Sequence, residues 1–386
     1  MIKNQWYVAE EVSAITDKPR RVKLCGLDFV LFRAKDGTIA CLSDVCIHRG
    51  ASLGGGLVVE GDVECPYHGW RFGKSGMCTR IPSLGVDAKI PPRARVDSYP
   101  VQEYLGWVWV FLGDLPEAER PPLPDFPEWD KEKAGENWRT IRGEYFWNAN
   151  YARIVENGID PSHAAFVHPA FGDRKKPEVH DFTVDADEWS AYAQVTFLPP
   201  ESTGLWKLIR KTRNAVTVRN GFHVSGAHVR IEIQLTATWR IVIFDVNTPI
   251  DETTTLTRWI MARNFMTHPL LDGDSRNRTV KIFDQDAKIM EAITPELLPT
   301  FLHEEISVKS DAIMVAWRNK RRELIEKGWS IDLDALRRAE DKRALVMPSP
   351  DRADPAVARD FLLKPIPFRE GAEVRAEALA QRHAAE

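Results

Sequence analysis

Short runs of alternating apolar and polar positions fill the first hundred or so residues. Arg20–Leu24 and residues 29–33 read as strands on this alternation, Asp36-Gly37 supplies a hairpin turn before a strand at 38–42, and the stretch from Gly73 to Gly76 turns a second hairpin. Residues 101–112, rich in aromatic and branched side chains, read as one closing strand. The proline-rich stretch 116–127 suits neither a helix interior nor a central strand and reads as a linker. Beyond it, 138–145 is strand-like, 148–157 is helical with Gly158 as its terminating residue, and 192–197, 229–235, 239–246 and 255–262 alternate as strands of a large antiparallel sheet. Residues 274–293, 306–327 and 333–345 follow as helices. The expected class is α+β: a small antiparallel β domain over 1–118, then a domain over 119–386 with a large antiparallel sheet flanked by helices.

Composition narrows the possibilities. A length of 386 residues suits two domains, and 44% hydrophobic with 28% charged residues is ordinary for a globular protein. A formal net charge of -4 carries no polyanion-binding signature, so nucleic acid is not an expected partner. The longest apolar run, Trp107–Leu112, is far short of the ~20 residues that span a bilayer, and Met1 to Trp6 lacks the charged-then-apolar pattern of a leader; no membrane association and a cytoplasmic location are expected. The 5 cysteines show no disulfide-scaffold spacing, which leaves metal ligation for those near histidine. Cys25 and Cys41 lie in apolar strand-like runs and Cys78 follows a glycine-rich turn, so all three are assigned to the core.

Cys46-Ile47-His48 and Cys65-Pro66-Tyr67-His68 form the first constellation, with 16 residues between His48 and Cys65. Two Cys and two His can hold zinc, but each pair here mixes one Cys with one His on its own turn, unlike a zinc finger. A Rieske [2Fe–2S] centre, with two Cys on one iron and two His on the other, uses two such mixed loops. Gly50, Gly54 to Gly56 and Gly69 would let the backbone close over the cluster and aim amides at its sulfurs.

The second constellation is Asp160-Pro161-Ser162-His163 followed by His168-Pro169. Asp160 with Pro161 suits a helix start, and His163 then falls on the side of Asp160. His168 would point about 140° away on a regular helix, but Pro169 disfavours the helical region for the residue before it, so the chain should break there. A carboxylate to join the two imidazoles comes from the helix at 280–293: Ile282, Phe283, Ile289, Met290 and Ile293 make an apolar stripe with Asp286 in its middle, while Asp284, Gln285, Lys288 and Glu291 point away. A core-facing carboxylate is expensive unless paired or metal-bound, which favours Asp286 as the third ligand of a 2-His-1-carboxylate triad.

Together, Cys46-x-His48, Cys65-x-x-His68-Gly69-Trp70 and Glu156-Asn157-x-x-Asp160-x-x-His163-x4-His168 resemble the catalytic α-subunit of Rieske non-haem iron oxygenases, in order and over most of the chain. The run 155–163 is similar to the α-only group, which includes vanillate and dicamba O-demethylases and the carbazole dioxygenase terminal oxygenase; residues 310–318 also resemble the last of these. The resemblance implies a Rieske [2Fe–2S] domain at 1–118 and a mononuclear non-haem iron catalytic domain at 119–386. Cys46, His48, Cys65 and His68 would hold the cluster, and His163, His168 and Asp286 would hold Fe(II), with O2 as co-substrate. It further implies that Asp160 bridges an iron-binding His to a cluster His of a neighbouring subunit in a homotrimer, that Asn157 lies near the iron, and that Glu291 completes the family's acidic pair with Asp286.

The implied enzyme is a Rieske-type mono- or dioxygenase component that hydroxylates or demethylates an aromatic or polycyclic substrate. NAD(P)H is its ultimate donor, through a ferredoxin and/or reductase, because no dinucleotide-binding glycine fingerprint occurs in the chain. Other readings are a cis-dihydroxylating ring dioxygenase, a Rieske electron-transfer or redox-sensing protein, and a zinc hydrolase. Phe197, Trp206, Phe222, Trp239 and Phe244 are candidate walls of a substrate pocket, with core packing the alternative for each.

Overall fold

Hairpins build the first part of the chain, and their turns follow from residues that accept positive φ. Arg20–Leu24 returns as Leu27–Arg33 through Cys25 (φ 53) and Gly26 (φ 82), so Cys25 sits in a turn rather than a strand. The run expected as one strand at 101–112 is likewise a hairpin, Val101–Tyr104 and Trp107–Leu112, turned by Leu105 (φ 56) and Gly106 (φ 74). The computed structural model describes residues 1–168, 173–197, 216–340 and 344–385.

By their contacts the residues fall into two compact units, Met1–Pro122 with Glu323–Glu386, and Leu123–Arg322. The division differs from the sequence-based boundary, which assigned everything after 118 to the second domain. The C-terminal segment is tied to the first unit by bonds between distant residues. Tyr99 Oη donates to Met347 O (2.7 Å), and the buried Asp97 carboxylate accepts from Ser349 Oγ (2.8 Å) and Arg352 Nε (2.6 Å).

In the first unit, three small antiparallel sheets include one of Leu57–Val59, Asp62–Glu64, Arg71–Phe72 and Cys78–Arg80. Cys46 and His48 lie on the loop before this sheet, and Cys65 and His68 on the loop between its second and third strands. Cys25, Cys41 and Cys78 are buried, as expected for core thiols.

The second unit is built on a seven-stranded antiparallel sheet in the order Arg139–Trp147, Thr255–Arg263, Arg240–Pro249, His228–Gln234, Val216–His223, Ser190–Phe197, His180–Ala186. Helix Tyr151–Ile159 packs across its middle strands. Asn150 caps the helix by accepting from Ala152 N (3.0 Å). Gly158 lies inside the helix instead of ending it, because a Cβ there would come within 3.1 Å of Val229 Cγ1; the glycine is what lets helix and strand approach. Helix Asp272–Met290 follows the sheet and packs on strand Arg139–Trp147 and on helix Tyr151–Ile159. Among the described residues no helix is long and apolar enough to cross a membrane.

An ion-pair cluster locks helix Tyr151–Ile159 in place. Arg318 donates through Nε and Nη2 to the two oxygens of Glu156 (2.5 and 2.9 Å), and Arg153 Nη2 donates to Glu305 Oε1 (2.8 Å). Hydrogen bonds from Arg153 and Arg318 hold the Glu305 carboxyl down at about 2. Glu156 and Arg318 are only 11% and 9% exposed, so removing one partner strands the other's charge. Glu156→Gln should lower stability by about 3–5 kcal/mol in denaturant unfolding, and a loss within error would show that the pair is dispensable.

Candidate metal centres

The two Cys/His loops are copies of one device. Cys46 N donates to Ala51 O (2.9 Å) and Gly50 N to Cys46 O (2.9 Å); in the second loop Cys65 N donates to Trp70 O (2.8 Å) and Gly69 N to Cys65 O (3.0 Å). Gly50 (φ 76) and Gly69 (φ 68) take the left-handed conformation at the equivalent position, which only glycine adopts without strain. The result points two thiols inward and two imidazoles outward. Cys46 and Cys65 are buried, while the rings of His48 and His68 meet edge to face 4.4 Å apart nearer the surface, with Trp70 stacked on His48.

Burial, with the Cys65 thiol alongside, pushes the Cys46 thiol up to about 12, although the amides of His48 and Arg49 favour its thiolate. His48 Nδ1 is buried without a hydrogen-bond partner. Two inward thiols, an orphaned imidazole nitrogen and amides aimed at sulfur are the donor chemistry that a [2Fe–2S] cluster with mixed Cys and His ligation uses.

In the second unit the chain leaves helix Tyr151–Ile159 at Asp160. Asp160 Oδ1 accepts from Ser162 N (2.7 Å), so the carboxylate closes a turn and does not cap a helix; the next helix, Ala164–Val167, is a single turn. His168 then takes extended backbone (φ -112, ψ 91), the break expected of a residue before proline. The break swings the His168 ring back toward His163. Their Nε2 atoms are 3.1 Å apart, and Asp286 Oδ1 lies 3.2 Å from His168 Nε2 and 3.6 Å from His163 Nε2.

Each of the three atoms in this group can present a lone pair. His168 Nδ1 faces Gln285 Oε1 at 2.9 Å, which can only accept, so the proton sits on Nδ1 and Nε2 presents a lone pair. His163 Nδ1 faces Asp160 Oδ2 at 3.5 Å, and Asp286 Oδ1 is buried with no hydrogen-bond donor. Burial pulls the His163 imidazole down, Asp160 and Asp286 pull it up, and the balance is upward. Converging lone pairs repel unless a cation lies between them. Their separations sit just above the roughly 3.0 Å between neighbouring ligands of an octahedron with ~2.1 Å bonds, so the set fits a divalent metal. Among the described residues, His163, His168 and Asp286 form the group able to hold one.

A pocket of about 970 Å³, mouth included, opens beside these atoms. Branched aliphatics from the sheet face dominate its wall: Val195, Val218, Val229, Ile231, Ile233 and Ile243, with Trp147 at one side and Ile282 and Phe283 from the helix. Asn157 and Asp160 line it too. Three of the aromatic residues expected there are elsewhere. Phe244 packs on Phe126, Phe222 on Trp317 and Trp239 on Phe265; Trp206 and the side chain of Phe197 lie outside the described residues. Strand alternation explains Phe244: Ile243, Asp245 and Asn247 face the pocket, so Phe244 faces away.

Three polar residues escaped the sequence reading. Gln285 belongs to the site although helical phase placed it away from Asp286; it is half-buried, and its side chain reaches back to His168. Ile289, assigned to the buried stripe, is 48% exposed, and Ala287 is buried instead. Asp245 and Asn220, on neighbouring parts of the sheet face, put polar groups into the pocket wall. Burial first, and the Asp286 charge second, push the Asp245 carboxyl up to about 8. The only sequence signal for Asp245 was a carboxylate inside an apolar strand run.

Residues 5–100 match the Rieske [2Fe-2S] domain family, and residues 147–327 match the vanillate O-demethylase oxygenase C-terminal domain. The chain is similar to the oxygenase component of dicamba O-demethylase from Stenotrophomonas maltophilia, 35% identical over 44% of this chain and 48% of the relative; the chain thus spans about half the length of this curated relative. It is 28% identical to the vanillate O-demethylase oxygenase subunit of a Pseudomonas species over 77% of this chain and 87% of the relative. In fold it is similar to Pseudomonas putida NdmA solved with caffeine, with a TM-score of 0.68 at 24% identity over 83% of this chain and 91% of that one.

A partner that orients a ligating imidazole is worth about 10–100-fold in metal affinity. Gln285→Leu should therefore weaken divalent-metal binding by about that factor while leaving the absorption of a cluster in the first unit unchanged; equal affinity in a competitive chelator titration would show that Gln285 does not set the His168 tautomer.

Proposed function

This chain belongs to the Rieske non-haem iron oxygenases, and from that premise we propose that it is the oxygenase component of a multicomponent system that hydroxylates or demethylates an aromatic or polycyclic substrate with O2. The observation that carries the reading is the convergence of three potential ligand atoms, from half-buried His163 and buried His168 and Asp286, beside an apolar pocket. In this reading His163, His168 and Asp286 hold the mononuclear iron, and Cys46, His48, Cys65 and His68 hold the cluster. When bound, the cluster would supply electrons and the iron a centre for O2 activation.

The chain's own residues do the rest. Gln285 keeps the proton of His168 on Nδ1, and Asp160 holds the Nδ1 edge of His163. The aliphatic wall keeps water from the reacting centre and offers an apolar seat to the substrate. Asn157, on the pocket wall one helical turn before Asp160, is positioned to contact what binds there. Asp160 serves as the contact between His163 and a cluster histidine of a neighbouring subunit in a homotrimer, a closed head-to-tail ring. A ferredoxin and/or NAD(P)H-dependent reductase delivers electrons, since the sequence has no dinucleotide fingerprint. Relatives named as O-demethylase components favour demethylation among the outcomes.

Product analysis after incubation with a surrogate reductase, NADH and a panel of methoxylated, N-methylated and polycyclic aromatics tests the proposal; a colourless, zinc-only protein would refute it. Asp286→Ala should abolish turnover while keeping the cluster's visible absorption, and undiminished turnover would remove Asp286 from the ligand set. In Asp160→Ala both metals should stay bound while reoxidation of the reduced cluster by O2 and substrate slows severely, as followed by stopped-flow absorption; wild-type kinetics would exclude the bridging role.

A further inference from the structure

Most polar groups of the pocket wall are satisfied within the protein. Trp147 Nε1 donates to Thr257 Oγ1 (2.7 Å), Thr257 Oγ1 donates to Asn247 Oδ1 (2.6 Å), and Asn247 Nδ2 donates to Ala227 O (2.8 Å), a chain in which each group has a partner within the protein. Asp245 is different. It lines the same pocket, is 7% exposed, and its Oδ1 is buried with no hydrogen-bond partner. It is also outside the set of donor atoms from His163, His168 and Asp286 that lie within 4.8 Å of one another. A buried carboxyl without a partner costs several kcal/mol in order of magnitude, so its place in an otherwise aliphatic wall calls for a partner that arrives from the pocket.

We propose that Asp245 is the hydrogen-bonding anchor of the substrate pocket and selects a neutral, largely apolar molecule that carries a hydrogen-bond acceptor. The proposal rests on the oxygenase reading only for the word substrate; the binding preference is a property of the pocket. With its carboxyl pushed upward by burial, Asp245 keeps its proton at neutral pH and donates to a carbonyl, an ether or a ring nitrogen. Asn220 Oδ1, also buried and unpartnered, sits two strands away across His228–Gln234, about 10 Å in strand spacings, and can take a second polar group at the far end of the molecule. Among the described residues that line the pocket, Asp160, Asp245 and Asp286 are acidic and none is Lys or Arg. Among these described lining residues a carboxylate or sulfonate would therefore meet three acids and no basic side chain.

Calorimetric titration of the metal-loaded protein, without reductase, compares 2-acetylnaphthalene, its hydrocarbon isostere 2-isopropenylnaphthalene and the anion 2-naphthoate. Wild type should prefer the ketone to both others by about tenfold, the scale of one hydrogen bond. Asp245→Leu should lose that preference over the hydrocarbon, and Asp245→Asn, which keeps a donor, should retain it. Preference for 2-naphthoate, ketone affinity unchanged in Asp245→Leu, or no ketone binding overturns the proposal. Thermal unfolding supplies a ligand-free test. A carboxyl kept for ligand contributes nothing to the fold, so Asp245→Leu should melt at or above the wild-type temperature, and a clear loss of stability would make Asp245 structural. Failure of turnover with every donor would count against the oxygenase reading and leave these binding results standing.

Discussion

Three potential metal-ligand atoms held within 3.6 Å of one another are the constraint on which the second unit depends. Nε2 of His163, Nε2 of His168 and Oδ1 of Asp286 would repel at 3.1 to 3.6 Å in a buried setting unless a cation sits among them. The surrounding structure enforces that arrangement. Ion pairs from Arg153 and Arg318 fix helix Tyr151–Ile159, Gly158 lets it press against Val229, and the turn at Asp160 delivers His163 at a fixed place. The extended backbone of His168 and the carboxamide of Gln285 then set the second ring.

The pocket beside this centre owes its character to strand alternation. Strands that are buried on both faces give one face to the core and the other to the pocket, so Phe244 packs inward on Phe126 while Ile243 and Asp245 share the opposite side. Branched aliphatic side chains make this wall largely apolar. Against it, one carboxyl without a partner stands out more than it would in a polar site, because low polarity raises both the penalty of leaving it alone and the gain from meeting a ligand.

The first unit solves a different problem with repetition. Each Cys/His loop uses the same two backbone bonds around its cysteine and a left-handed glycine after its histidine. The two loops therefore present matching thiols and imidazoles without depending on distant side chains. The C-terminal segment, held through Asp97, Tyr99, Ser349 and Arg352, completes this unit from the far end of the chain.

Local chemistry was legible in the chain itself. Spacing identified the two Cys/His loops, proline placed the break at His168, and helical phase singled out Asp286 as a carboxylate in an apolar stripe; each rests on one stretch of backbone whose geometry its own residues dictate. The antiparallel class and most strands were legible for the same reason, since period-two alternation is local. What joined distant segments was not. Gln285 reads as solvent-facing until His168 arrives from the other side, Gly158 reads as a helix end until Val229 is beneath it, and residues 323–386 read as part of the second domain until their bonds to Asp97 and Tyr99 are formed. Asp245 reads as one polar position in a strand. Only the packed sheet shows that its carboxyl faces a pocket with no partner, because satisfaction of a buried polar group depends on every element around it and on no single run of sequence.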